Sequence, residues 1–432
     1  MNIAVVGVGY IGTIISLVLA SKNHKIISID NSKEQISNFN QGILNIYEPG
    51  LDSLFKKHHK NITFTTDYSL IESCEMVIVT VGTPLSDKNE ADIKGIMVVA
   101  KEISKYLQPS ALVCLKSTVI PGVSNKFADE VYRFSKKILG RDYFLTFSPE
   151  RLAEGNAINE FLTLPIVVGS DDKKSLSKAS KFWKTLVGVE IITIDTFIGA
   201  ELTKLADNVW IDLNIALANS LGLICHKLGV DVNQVINAAN SLPKGSSRVN
   251  ILQSSIGVGG SCLTKDPLFF ANLLDENELN SDLIRSARKL NELMPEKYIE
   301  KIESWIKKNS IQDPKIALIG VAFKSNTSDL RFSPMLDIFN QFSRKYRVSV
   351  HDPLVSSLEF SKKVSQKVNF VEIETALSGS DIIILGCAHE SISLSSIKGF
   401  LEVNSKKNIL FVDGRHAYKK HDFPKNINYL AI

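Results

Sequence analysis

The segment Gly257-Val258-Gly259-Gly260-Ser261-Cys262-Leu263-Thr264-Lys265-Asp266-Pro267 holds the residue best suited to covalent chemistry in the chain. A thiol is a strong nucleophile once partly ionised, and neighbouring cations or a helix N-terminus favour the thiolate. Cys262 lies in a polar loop with Lys265 and Asp266 three and four residues on. The glycines, Gly257 and Gly259 among them, allow positive φ or a close approach of backbone to a ligand. The alternative is a buried, inert thiol, the usual state of a lone cysteine. Cys74, Cys114, Cys225 and Cys387 all fall in apolar strand or helix runs and fit that alternative; Cys262 does not.

A second constellation opens the chain. Gly7-Val8-Gly9-Tyr10-Ile11-Gly12 is GxGxxG directly after an apolar β-branched run, and a helical pattern follows. In such a turn the first glycine permits the tight bend, the second lets the backbone approach a pyrophosphate, and the third lets helix and strand pack closely. Asp30 ends the next apolar run, where a carboxylate can accept hydrogen bonds from ribose hydroxyls and would repel a 2′-phosphate, favouring NAD over NADP. A third pair, Lys204 and Asn208, is four residues apart on one face of a predicted helix with apolar surroundings, where an inward lysine needs partners. A solvated lysine with an unrelated asparagine is the alternative there.

A dinucleotide site and one nucleophilic cysteine together suit a four-electron oxidation. An alcohol oxidised to an aldehyde is trapped as a thiohemiacetal, a second hydride transfer gives a thioester, and water releases a carboxylate. A two-electron hydroxyacid dehydrogenase and a catalytically silent binding protein are the competing readings. The Cys262 loop and a further C-terminal domain argue against the first, and the retention of Cys262, Lys204 and Asp266 against the second.

Strand–turn–helix–strand order at the N-terminus, with further strands at Met76–Val81, Ala111–Ser117 and Tyr143–Ser148, predicts an α/β domain with a doubly wound parallel sheet. From Ile198 the pattern changes to one long helix with a wide apolar face, stopped near Gly229. After Pro314 the opening returns: KIALIGVAFK echoes NIAVVGVGYIG, RVSVHDP echoes KIISIDN, and DIIILGCAHE echoes EMVIVTVGTP. The glycine fingerprint is complete only in the first copy, so the second Rossmann-like domain is expected to bind something other than a dinucleotide. The division expected is 1–197 for the NAD-binding domain, 198–300 for a central helical domain that packs in the core and against a second subunit, and 301–432 for the C-terminal domain.

With 432 residues, two or three domains are the prior. A net charge of +4 with both signs interspersed gives no basic face for nucleic acid. Uninterrupted apolar runs fall short of the ~18 residues of a membrane span. MNIAVVGVGYIG lacks the charged start and cleavage site of a signal peptide. Five scattered cysteines without CxxC spacing argue against a disulfide framework or metal site and for a reducing cytoplasm.

The motifs, in order, resemble those of the UDP-sugar 6-dehydrogenases, which include the UDP-glucose and UDP-N-acetylhexosamine dehydrogenases. They are GVGYIG, YEPGL (Tyr47–Leu51), VGTP (Val81–Pro84), KSTVIPG (Lys116–Gly122), SPERLAEGNA (Ser148–Ala157), ELTKLADN (Glu201–Asn208), GVGGSCLTKDP and GVAFKSNTSDLR (Gly320–Arg331). The resemblance implies that Cys262 is the nucleophile. It implies that Lys204 stabilises oxyanion charge and that Asn208 and Asp266 position substrate or water. Thr118 and Glu150 would order a water that assists proton transfer. Thr83, Ser117, Thr118 and Arg331 would join the glycine turn around NAD. Arg151, Leu152, Arg248, Asn250, Gly257, Gly259 and Lys324 would join Lys204 and Asn208 around the UDP-sugar. The C-terminal domain would hold UDP, and the long helix would form the core of a homodimer. Arg248-Val249-Asn250-Ile251 looks like the N-acetylmannosamine branch, whereas the GGSC and KD of the cysteine loop are closer to UDP-glucose enzymes. UDP-N-acetylmannosamine is the substrate favoured, with UDP-glucose and other UDP-N-acetylhexosamines as alternatives.

Overall fold

The computed structural model describes residues 1–84, 91–245, 247–274, 279–392, 394–403, 408–419, 422–424 and 427–432. The chain divides into two compact units, Met1–Asp207 and Asn208–Ile432.

In the first unit, strands β1 (Asn2–Val6), β2 (Lys25–Ile29), β3 (Ile62–Thr65), β4 (Met76–Val79), β5 (Leu112–Leu115), β6 (Phe144–Phe147), β7 (Ile166–Gly169) and β8 (Ile191–Ile194) form one sheet. Their order is β3-β2-β1-β4-β5-β6-β7-β8, and every neighbouring pair is parallel except β6 and β7. The central strands are buried throughout, as sheets covered by helices on both faces require, which is why they read as unbroken apolar runs. Two apolar cores result. One face packs Ile14, Leu17 and Val18 of the helix Tyr10–Ser21 with Trp183; the other packs Phe127, Val131 and Ile103.

The strand order reverses between β1 and β4, and ligands of doubly wound sheets bind outside the carboxyl ends of the strands at such a switch point. Register brings those ends level: Val6 stands opposite Ile29 and Val79, Val79 opposite Leu115, and Leu115 opposite Phe147. The segments that begin at Gly7, Asp30, Thr80, Lys116 and Ser148 therefore leave one edge of the sheet together.

The second unit carries a short antiparallel hairpin, β9 (Pro243–Lys244) and β10 (Ser247–Arg248). Its six-stranded parallel sheet comprises β11 (Lys315–Ile319), β12 (Arg347–His351), β13 (Asn369–Phe370), β14 (Ile382–Leu385), β15 (Leu410–Asp413) and β16 (Asn428–Leu430). The order β13-β12-β11-β14-β15-β16 repeats that of β1–β6, so the echo in the sequence is an echo in topology.

The helix Phe197–Leu228 runs through the boundary between the units. It stops where the spacing predicts. Gly229 takes φ +72°, its N–H donates to the His226 carbonyl, and Val230 N–H donates to the Cys225 carbonyl, so the last carbonyls are satisfied by a left-handed C-terminal turn. By length and composition alone this helix could cross a membrane. Its polar residues Asn208, Asp212 and Asn219, at steps of four and seven, form a buried stripe bonded to other parts of the second unit. Trp210, Leu217 and Ile224, seven apart, form an exposed apolar stripe with Leu228.

Candidate active site

In the first unit the glycine turn is built as its spacing requires. Gly7 has φ +92°, and a Cβ there would stand 2.8 Å from the Val81 nitrogen. A Cβ on Gly12 would lie 1.9 Å from the Gly7 carbonyl oxygen, so only glycine lets the helix start this close to the strand. A Cβ on Gly9 would meet nothing within 4 Å among the described residues, so the space above it is open. Gly9 is the N-cap of the helix Tyr10–Ser21, whose first turn carries no acid to offset the partial positive charge of its N-terminus.

Asp30 accepts the Val8 N–H at 2.7 Å and the Ser32 N–H at 2.9 Å, so this carboxylate fixes the turn. Ile11 packs against the core beside the turn. Thr83 donates to the Thr118 carbonyl at 2.5 Å, tying the segment after β4 to that after β5. The Ser117 hydroxyl is buried at the same edge without a hydrogen-bond partner among the described residues, an orphaned group of the kind a bound polar ligand satisfies. An open Gly9, a helix N-terminus, the Asp30 carboxylate and this hydroxyl fit a dinucleotide.

Glu150 accepts the N–H groups of Arg151 and Leu152 through one oxygen, and its other oxygen lies 3.3 Å from the Lys116 ammonium. Lys116 is buried over the Trp183 ring. Arg151 is paired with Asp207 at 2.9 Å. Spacing did not single out Lys116. Nor did it single out Glu48, whose buried carboxylate accepts from the Tyr10 hydroxyl and from Gly155 and Ala157 N–H, joining the glycine turn to the loop after Glu150. Burial, the largest cause, and the Glu48 contact push the Tyr10 hydroxyl far up. Glu201 was likewise missed. It accepts from Gly122 N–H and from Ser124 N–H and hydroxyl, and burial above all raises its carboxyl. Glu48 and Glu201 both lie inside motifs already noted, YEPGL and ELTKLADN, and that membership was the available signal.

Lys204 is buried on the long helix, one turn before Asn208. In the second unit Asn208 donates to Asp266 at 2.5 Å, and Asp266 is fully buried with Lys265 at 3.5 Å. Cys262 is exposed, whereas Cys74, Cys114, Cys225 and Cys387 are buried. Burial, the main cause, pushes the Cys74 thiol up to about 11 and raises Cys114 and Cys387 as well. The Cys262 carbonyl accepts the N–H groups of Lys265 and Asp266, which folds the cysteine loop onto the acid.

The neighbours of the loop glycines are protein atoms. A Cβ on Gly257 would meet Pro334 at 2.9 Å, and one on Gly259 would meet the Phe332 carbonyl at 2.5 Å, so both serve the close packing of the cysteine loop on the 320–334 segment. That segment also accepts the Gly260 N–H through the Arg331 carbonyl. Arg331 itself is paired with Asp329, and Lys324 is exposed on the same segment. Arg248, on the hairpin, and Asn250 are exposed; the Asn250 carbonyl accepts from Asn214 of the long helix.

Three matched segments cover most of the chain: the NAD binding domain of the UDP-glucose/GDP-mannose dehydrogenase family over residues 1–187, its central domain over 199–293, and its UDP binding domain over 317–420. A UDP-N-acetyl-D-mannosamine dehydrogenase of Campylobacter jejuni is 32% identical over 420 residues, 95% of this chain and 98% of that protein. The solved UDP-D-ManNAc dehydrogenase of Pyrococcus horikoshii superposes with a TM-score of 0.85 at 28% identity, covering 99% of this chain and 98% of that one. A UDP-glucose dehydrogenase of Pyrobaculum islandicum superposes with a TM-score of 0.85 at 25% identity, covering 100% and 97%. With a glycine turn in a first sheet that matches the family's NAD binding domain, a second sheet of the same order and an exposed cysteine in a glycine loop, the chain belongs to the UDP-glucose/GDP-mannose dehydrogenase family.

Proposed function

We propose that the protein oxidises the C6 hydroxymethyl group of a UDP-sugar to the carboxylate, with UDP-N-acetylmannosamine as substrate. The observation that carries the reaction is the contrast among the thiols: one exposed cysteine, in a loop folded onto the Asn208–Asp266 pair, against four that are buried. NAD, when bound, would supply the hydride acceptor for two successive oxidations. Cys262 thiolate adds to the aldehyde carbon to give a thiohemiacetal; loss of the second hydride leaves a thioester. Water then cleaves the C–S bond, returning the thiol and releasing the acid. The balance is one alcohol, one water and two NAD giving one carboxylate, two NADH and three protons.

Lys204 holds developing negative charge on the C6 oxygen. Asn208 fixes the Asp266 carboxylate, which orients the substrate hydroxyl or the hydrolytic water, and Thr118 and Glu150 hold the water that carries the proton. Arg331 reaches the cofactor pyrophosphate, and Lys324 the UDP-sugar. The sugar preference rests on Arg248 to Ile251 and on the names of the relatives. A second reading, UDP-glucose, is favoured by the GGSC and KD of the cysteine loop and by the Pyrobaculum structure.

The exposed stripe of Trp210, Leu217, Ile224 and Leu228 is covered by a second copy, making a homodimer in the cytoplasm. Fully burying each aliphatic side chain of that stripe contributes about 1.5–3 kcal/mol. Sedimentation of a Leu217→Asp/Ile224→Asp variant reads this directly; an unchanged mass at micromolar protein would refute it.

An NADH assay with UDP-glucose, UDP-N-acetylglucosamine, UDP-N-acetylgalactosamine and UDP-N-acetylmannosamine tests the substrate, and two NADH per sugar tests the chemistry. Cys262→Ser is expected to abolish net acid formation; acid formed at the unaltered rate would rule out the covalent route.

A further inference from the structure

The cysteine loop is rich in glycine, and Gly257 and Gly260 both sit at positive φ (+147° and +85°). Such a segment has many conformations open to it unless its ends are fixed. One buried polar network fixes both. At the leading end, Ser255 N–H donates to the Asn219 side-chain oxygen at 2.8 Å, and the Ser255 hydroxyl donates to the Gly257 carbonyl. At the trailing end, the Leu263 carbonyl, next to Cys262, accepts from Arg288 at 2.9 Å.

The two anchors are joined inside the unit. Arg288 bonds Asp212 at 2.5 Å, Asn291 donates to the Asp212 side chain and carbonyl, and Asn219 donates to Asn291 at 2.9 Å. All four side chains are at most 2% exposed. Asp212 and Asn219 come from the long helix, Arg288 and Asn291 from the helix Leu279–Lys308. A buried ion pair is poor evidence of stabilisation, because apolar residues of similar shape often serve as well. What Arg288 provides that an apolar side chain cannot is a directed donor to the peptide following the thiol.

We propose that the Asp212–Arg288–Asn291–Asn219 network positions Cys262, with Arg288 as the residue that sets the thiol's place for attack on the aldehyde. The inference rests on the thioester reading above. Attack by a nucleophile demands reacting atoms held near 3–3.5 Å, and a displacement of 1 Å can lower the rate by about a hundredfold. Hydride removal from the alcohol does not involve the thiol, so the network acts on the second half of the reaction.

The test uses Arg288→Met, the double variant Asp212→Leu/Arg288→Met, which leaves no lone buried charge, and Asn219→Ala, which removes the neutral anchor. Each is assayed for melting temperature, kcat, both KM values, NADH released per sugar, aldehyde set free, and the rate of Cys262 alkylation by iodoacetamide. The expected result for both Arg288 variants is a fall in kcat of about a hundredfold, with KM for NAD and for the UDP-sugar within about twofold. NADH per sugar should drop below two, free aldehyde should appear, and alkylation should change in rate. Asn219→Ala should move the same readouts less. If the double variant, folded, keeps wild-type kcat and two NADH per sugar, the network is structural only and the proposal falls. The failure of the underlying reading looks different: the unmodified enzyme would then release one NADH per sugar, or Cys262→Ser would still form the acid.

Discussion

The two sheets begin with nearly the same device and end with different ones. In the first, Gly7 at φ +92° follows β1 and the Asp30 carboxylate accepts Val8 N–H at 2.7 Å. In the second, Gly320 at φ +70° follows β11 and the Asp352 carboxylate accepts Val321 N–H at 2.7 Å. Gly7 N–H reaches the Ile29 carbonyl, and Gly320 N–H reaches that of His351. Then the copies part. Gly9 is open and exposed, while its counterpart Ala322 is buried; Gly12 lets the helix begin at Tyr10, while in the second copy Ser325 stands there and the next helix, Pro334–Phe342, waits behind a long loop. One copy offers a helix N-terminus to a diphosphate. The other offers a loop that carries Lys324 and Arg331. With the difference of two small residues goes the replacement of a helix N-terminus by a loop bearing two side-chain cations.

The second turn is also held more tightly. Asp352 is buried and accepts from Val321, Ala322, Leu354 and Val355 N–H, with His389 at 3.1 Å, and His389 takes the Asn326 N–H through its other ring nitrogen. Cys387 completes a cluster whose polar atoms lie within 4.8 Å of one another. Burial opposes ionisation of Asp352, but the His389 contact and the backbone donors outweigh it and hold its carboxyl below the usual value of 3.8.

The largest effect expected is therefore at Asp352. Asp352→Asn removes charge-assisted bonds to buried donors and should cost about 3 kcal/mol at pH 7. A group with a depressed folded pKa contributes its stability above the unfolded value and loses it as the pH falls through the folded one. The gap between variant and wild type in denaturant melts should thus be full at pH 7 and narrow below about pH 3.8; a gap independent of pH would break the account. The first turn is sharpened by a contrast between its glycines. Gly12→Ala overpacks the strand–helix contact and should cost about 1–3 kcal/mol as well as NAD affinity. Gly9→Ala should leave the melting temperature unchanged and still weaken NAD binding, because its methyl enters only the ligand's space; equal NAD affinity by calorimetry would show that no ligand approaches there. The smallest effect lies at the second copy's Gly9 counterpart. Ala322→Gly should destabilise by about 0.5–1 kcal/mol through backbone entropy and confer no NAD binding, since Ser325 and the loop remain.

Much of this was legible in the chain. The repeat, the parallel sheets, the stop of the long helix at Gly229 and the separation of Cys262 from four core cysteines all follow from periodicity, glycine placement and local polarity, which act within a few residues of the position they govern. The partners of the buried polar residues were not legible. Lys116 with Glu150, Glu48 with Tyr10, and Arg288 with Asp212 are joined across 34, 38 and 76 positions, and nothing local marks which acid meets which base.

The long helix shows the same limit from within a single element. Its length, its end and its lysine and asparagine are written in its residues, but its mean apolar character hides two opposed stripes. Asn208, Asp212 and Asn219 face inward and Trp210, Leu217 and Ile224 face out. Sequence alone determined that a helix with a fold-wide hydrophobic pattern would form there, because backbone hydrogen bonds and side-chain period are local. Only the tertiary structure decided which face was inside, because buried polar groups need partners, and here the cysteine loop and the helix Leu279–Lys308 supply them.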